Sequence, residues 1–119
     1  MQNKMGDKQR LTHIYDAIAE IESYIKKADL EEFTNNSMMR FASIKQIEII
    51  GEAANYLTPE VKNEFSEIQW NQIIGMRHIL VHEYFGIDAE IVWQVIIKDL
   101  PQLKIKITEI LSDLNNCSI

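Results

Sequence analysis

The chain has 119 residues, of which 46% are hydrophobic and 25% are charged, and its formal net charge is -6. This length and composition are typical of one globular domain with its own core and exclude two independent domains. The single cysteine, Cys117, excludes an intrachain disulfide, and no apolar run reaches the roughly 18 residues of a membrane span. We therefore expect one cytoplasmic domain over residues 1–119, with no membrane association and with its core over about residues 8–115.

Apolar residues at spacings of three and four predict a first helix over about residues 8–27. Its apolar stripe comprises Leu11, Ile14, Ile18, Ile21 and Ile25. After a loop, the polar residues 34–37 offer N-cap side chains for a second helix that reaches Leu57. Its main face is predicted to comprise Phe41, Ile44, Ile47, Ile50, Ala54 and Leu57, widened by Ala42, Ile49 and Ala53. A helix this apolar is expected to lie between two partners.

The second half of the chain continues the helical pattern. Thr58 followed by Pro59 predicts a short helix that ends near Phe65, and a third long helix begins near Trp70. Residues 86–88 are expected to close that helix and cap the next, whose stripe comprises Ile96, Leu100, Leu103, Ile107, Ile110 and Leu114. Pro101 interrupts this stripe, so a kink or break is expected near Leu100. The fold class predicted is an all-α bundle of four to five helices.

The third long helix is apolar on most sides, yet it carries Arg77, His78, His82 and Tyr84. A guanidinium on such a helix is costly unless it is paired or faces a polar cleft. Arg77 and His82 are five residues apart, which is about 140° around an ideal helix. Either the helix unwinds near Gly86 to bring them together, or two copies of the chain pair so that both contribute to one cleft.

A purely structural interpretation competes with catalysis. Arg77 can pair with a buried carboxylate such as Glu52, and His78 can be an ordinary surface or core histidine. Glu52 can be the partner of either Arg77 or His82, and we favour this structural pairing over a catalytic role. His78 and His82 have a spacing that suits two ligands of one metal ion. Bound metal is nevertheless not expected, because the sequence offers no clear third ligand beyond Glu83 or His13. Trp70, Trp93, Phe85, Met38 and Met39 are interpreted as core or interface residues.

The motif Arg77-x4-His82-x-Tyr84 resembles the HEPN superfamily, and the surrounding sequence resembles its HepT-like branch. Similar segments occur in order along nearly the whole chain: residues 10–18, 49–54, 68–70, 75–77 and 81–86, and Trp93 with residues 99–101. The motif alone is weak evidence for the family, whereas this ordered set of segments is specific to it.

The resemblance implies an HEPN-type up-and-down bundle that forms a homodimer and cleaves RNA without a metal or other cofactor. It also implies the toxin half of a type VII-like toxin–antitoxin pair, whose minimal nucleotidyltransferase antitoxin adenylylates Tyr84. Arg77 and His82 would then be catalytic, with His78 and Glu52 in support. Many members have asparagine where this chain has His78, which leaves rate and substrate choice open.

Two other functions remain at this stage. The acidic charge balance favours a catalytically silent HEPN module that scaffolds a nucleotidyltransferase or binds nucleotides. A helical dimer with a structural role alone is the third hypothesis.

Overall fold

The computed structural model describes the backbone of residues 4–83 and 89–116, and the side chains of residues 6–78 and 89–115. Within these ranges the chain forms helices and no strands, which confirms the predicted all-α HEPN-type bundle. Its helices are α1 (Lys4–Tyr24), α2 (Leu30–Asn35), α3 (Ser37–Asn55), α4 (Pro59–Glu64), α5 (Trp70–Glu83), α6 (Ala89–Gln94) and α7 (Leu100–Asn116). None of the helices described has the length and hydropathy of a membrane span.

Helix α3 is the centre of the bundle. It packs against α1 on one side and α5 on the other, as its broad apolar surface predicts. Its fully buried residues begin at Ser43, so its first turns are only partly covered by the rest of the bundle. For this reason the assignment of Phe41 to the buried face is wrong: its side chain is 52% exposed and lies 5.7 Å from the Arg40 guanidinium.

The segment between α1 and α3 differs from the predicted loop. Helix α1 ends at Tyr24, short of the predicted residue 27, and Lys27 has a φ of 67°, which an α-helix does not accommodate. Residues 30–35 then form α2, with Asp29 as its N-cap accepting a hydrogen bond of 2.9 Å from the Glu32 N–H. Phe33 anchors this short helix, because it is fully buried with its ring 5.2 Å from that of Trp93.

A buried carboxylate joins α1 to α4. Asp7 is 2% exposed and accepts hydrogen bonds from the backbone N–H and the hydroxyl of Thr58, at 2.9 and 2.6 Å. Thr58 is in turn the N-cap of α4, with Pro59 at the first helical position, as predicted. The carboxylate therefore fixes the start of α4 against a helix 51 residues earlier in the chain.

Replacing Asp7 with alanine is expected to lower the free energy of unfolding by about 2 kcal/mol, because a buried N–H and hydroxyl lose a charged acceptor. Urea denaturation of the wild type and of Asp7→Ala measures the difference. Asp16→Ala is the matched control, since Asp16 is an exposed carboxylate on the same helix and should change stability by less than about 0.5 kcal/mol. Equal losses in the two variants would contradict the role of this buried tie.

The kink or break predicted near Leu100 is present as a π-helical segment. Residues Val95–Asp99 form a π-helical segment between α6 and α7, and the Leu100 N–H bonds to the Val95 carbonyl. Pro101 has no N–H to donate and its ring crowds the carbonyl four residues earlier, so the wider turn before it relieves the conflict without breaking the helix. Helix α7 continues beyond this segment.

Helix α7 packs on α1. Between these two helices, the 2.7 Å hydrogen bond from Lys104 to Glu22 raises the pKa of the lysine.

Candidate functional site

Arg77 lies on α5, on the side that faces α3, and its guanidinium is held from two directions. Its Nη1 donates to Glu52 Oε1 of α3 at 3.1 Å, and its Nε donates to His78 Nε2 at 3.2 Å. The predicted pairing of Arg77 with Glu52 is therefore confirmed. His78 is exposed, and because its Nε2 accepts this hydrogen bond, a neutral ring carries its proton on Nδ1. The two contacts fix the plane of the guanidinium.

The expectation that Glu52 is a buried carboxylate is wrong. Its side chain is 51% exposed, whereas that of Arg77 is 23% exposed. Glu52 lies two residues from both Ile50 and Ala54, about 200° around α3 from that buried face, so it points away from the core. An exposed ion pair contributes about 0–1 kcal/mol to stability. The main effect of the Arg77–Glu52 pair is thus to orient Arg77 at the surface.

Gly51 lets α3 approach α5 closely at Arg77. A Cβ atom at this position would lie 2.9 Å from the Arg77 backbone N, 3.0 Å from its Cβ and 3.2 Å from the Ile73 carbonyl oxygen. Two of these three atoms belong to the backbone, so a side-chain rotation cannot relieve the overlap. Sequence reasoning gave Gly51 no role, although a glycine inside an otherwise apolar helix is a signal of close backbone approach.

His82 lies in the backbone of α5, which remains helical to Glu83, while its side chain lies outside the described residues. The helix therefore does not unwind before His82. On a regular helix, backbone positions five residues apart, such as 77 and 82, lie about 140° apart around the axis.

Several other predictions also fall outside the described residues. These concern Tyr84, the closing residues 86–88, Phe85 and Cys117. The pairing of His78 with His82 on a metal ion depends on an undescribed side chain as well. Elsewhere, over side chains 6–78 and 89–115, no three His, Cys, Asp or Glu residues are grouped as a metal site requires.

Comparisons with known proteins match the chain to ribonucleases of one family. The profile of the family described as "Ribonuclease HepT-like" matches residues 14–110. A protein of Methanocaldococcus jannaschii named "Putative RNase MJ1380" is 36% identical over 102 residues, which cover 86% of this chain and 94% of that protein. "Probable ribonuclease HepT" of Thermococcus cleftensis is 36% identical over 101 residues, covering 85% of this chain and 92% of that protein. No solved structure matches the chain.

Proposed function

Because this chain belongs to the HepT-like ribonuclease family, we propose that it is an endoribonuclease that cleaves RNA without a metal ion. The observation that carries the proposal is the placement of Arg77. Its guanidinium is partly exposed, oriented by Glu52 and His78, and on the same helix as His82. An oriented cation at a protein surface is suited to binding a phosphate group of the RNA backbone.

In this mechanism the 2′-hydroxyl of the RNA attacks the neighbouring phosphorus. A bond forms between O2′ and phosphorus, the bond from phosphorus to O5′ breaks, and the products are a 2′,3′-cyclic phosphate and a free 5′-hydroxyl. Arg77 stabilises the charge that develops on the non-bridging oxygens. His82 acts as a general acid or base, either removing the proton from O2′ or protonating O5′.

The active form is a homodimer in which both protomers contribute to each cleft. The support is geometric: the backbone of α5 stays helical through His82, and positions five residues apart lie about 140° apart around a regular helix. In a two-fold dimer, Arg77 of one copy can face the other copy's His82 across the interface.

The same proposal gives the chain a partner and a means of control. It is the toxin of a type VII-like toxin–antitoxin pair in the cytoplasm, and a minimal nucleotidyltransferase antitoxin transfers AMP to Tyr84. That tyrosine lies two residues after His82. An added phosphate would repel the RNA backbone and the bulky nucleoside would obstruct the cleft, so modification would silence the nuclease without a permanent complex.

The direct test is cleavage of a 5′-labelled single-stranded RNA by the purified protein in excess EDTA. Intact-mass measurement of the same sample shows whether Tyr84 carries AMP, and light scattering gives the oligomeric state. We expect the unmodified protein to be a dimer and to produce fragments that end in a 2′,3′-cyclic phosphate. No cleavage by an unmodified, folded dimer would overturn the proposal.

That negative outcome would favour the second candidate, a catalytically silent module that scaffolds a nucleotidyltransferase or binds nucleotides. Two observations favour it: the net charge of -6 and the ion pair by which Glu52 offsets the charge of Arg77. It predicts a stable complex with the nucleotidyltransferase and no cleavage at any protein concentration.

A further inference from the structure

A groove opens between α1 and α3 beside the candidate site. Its volume is about 360 Å³, and its lining comprises Gln9, Arg10, His13, Ile49, Glu52, Ala53 and Tyr56. Most of these side chains are polar, aromatic or charged. The groove therefore differs from the crevice that α1 forms with the π-helical segment and the start of α7, which is lined mostly by isoleucines. A polar groove with an aromatic wall is suited to a ligand that has both a flat ring and a charge.

The groove is continuous with Arg77. Glu52 lines the groove and also accepts the hydrogen bond from Arg77 Nη1 at 3.1 Å. A single side chain therefore separates the groove from the guanidinium that we place on the scissile phosphate. A chain molecule bound at Arg77 can extend into the groove without crossing the buried core.

The groove also has a stacking surface. Tyr56, the residue that caps α3, is 53% exposed, and the Arg10 guanidinium lies 5.8 Å from the centre of its ring. Exposed His13 lines the groove on the same helix as Arg10. One exposed aromatic residue needs no explanation. An aromatic ring, an arginine and a histidine around one groove, however, are the side chains that hold unpaired bases and their phosphates in single-stranded RNA.

We propose that this groove is a binding subsite for the RNA nucleotide next to the cleaved bond. The base stacks on Tyr56, Arg10 contacts a backbone phosphate, and His13 supplies a hydrogen bond to the base or ribose. The substrate class is single-stranded RNA, because a base held in a duplex cannot reach a protein ring in this way. The inference rests on the proposed ribonuclease function for its substrate, and it adds the residues that position that substrate.

The chain contains a matched control for this pair. Phe41 on α3 is 52% exposed and lies 5.7 Å from the Arg40 guanidinium, so it has the same kind of aromatic–arginine contact and nearly the same exposure as Tyr56. It does not line the groove. Any effect that depends only on losing an exposed ring or a surface arginine must therefore appear equally at Phe41 and Arg40.

The test measures binding of a short fluorescent single-stranded RNA by anisotropy, in a His82→Ala background so that the RNA stays intact. We expect Tyr56→Ala to weaken binding by about 5- to 150-fold, the range for losing one stacked base, whereas Tyr56→Phe binds as the parent does. Arg10→Ala should reduce the slope of log Kd against log salt by about 1, the value for one phosphate contact. Phe41→Ala and Arg40→Ala should leave affinity and slope unchanged.

In proteins with intact His82, Tyr56→Ala should raise KM for RNA cleavage and leave kcat within about twofold, because the stacked base lies outside the reacting bonds. Equal affinities for Tyr56→Ala, Phe41→Ala and the parent would overturn the subsite while cleavage by the wild type still supported the proposed function. Dissociation of the dimer by Tyr56→Ala, seen by light scattering, would overturn it in favour of an interface between two copies. Tyr56-dependent binding by a protein that never cleaves RNA would support the subsite and refute the nuclease.

Discussion

Replacing His82 with alanine is expected to slow RNA cleavage by about 10²- to 10⁴-fold, the usual effect of removing a general acid or base. Folding should be little affected, because His82 lies on a helical part of α5 and alanine is a good helix former. Cleavage of labelled RNA under single-turnover conditions measures the loss, and thermal denaturation checks the fold. Asn71→Ala is the control, since Asn71 is an exposed polar residue at the other end of α5. Cleavage by His82→Ala at the wild-type rate would remove His82 from the mechanism.

The same variant tests whether each site is shared between protomers. Arg77→Ala and His82→Ala should each be inactive alone. Mixed and allowed to exchange subunits, they form heterodimers in which one site has both its arginine and its histidine, so activity should return to about a quarter of the wild-type level. If each protomer instead holds a complete site, mixing restores nothing, because every site in the heterodimer still lacks one residue.

A side chain at Gly51 is expected to impair catalysis although it lies in no proposed contact with RNA. Alanine is the better helix former by about 1 kcal/mol. Its Cβ would nevertheless sit 2.9 Å from the Arg77 backbone N, so α5 must shift away from α3. We expect Gly51→Ala to lower the free energy of unfolding by about 1–3 kcal/mol, the usual cost of overpacking. Displacing Arg77 should lower kcat by about 10- to 100-fold with a smaller change in KM.

Gly75 provides the control for Gly51. It lies on α5, two residues from Arg77, and among the described residues no atom would lie within 4 Å of a Cβ there. Gly75→Ala should therefore stabilise the protein by about 0.5–1 kcal/mol, as glycine-to-alanine changes in helices do, and leave cleavage unchanged. Urea denaturation and steady-state kinetics on both variants make the comparison. A Gly51→Ala protein that gains stability as Gly75→Ala does, and cleaves at the wild-type rate, would contradict the close-approach argument.

Much of the fold could be predicted because it depends on neighbours in the chain. The three- and four-residue periodicity identified the long helices, and the Thr58–Pro59 start of α4 agrees with the structure. Helix α2 was missed although Asp29 followed by Glu32 is a capping pattern. Its six residues are too few for apolar periodicity to appear. A helix this short is not stable alone, and the burial of Phe33 against Trp93 stabilises it.

The candidate site, like the fold, could be predicted only in part. The residues Arg77, His78 and Glu52 were identified from the sequence, and the structure joins all three by hydrogen bonds. The exposure of Glu52 was not foreseen, because the apolar residues around it suggested burial. Catalysis by His82, support from His78 and Glu52, and modification of Tyr84 remain predictions for the experiments above.

The sequence by itself determined the helical class, the main caps and the family. Helix periodicity and capping depend on residues close together in the chain, and the order of the family-like segments can be read directly along it. Only the tertiary structure decided which surfaces meet. The Asp7–Thr58 tie joins residues 51 positions apart, and the approach of Gly51 to Arg77 exists only where α3 packs on α5. The groove lined by Tyr56 likewise arises only between α1 and α3. Such contacts depend on how helices pack across the whole domain, which no local pattern specifies.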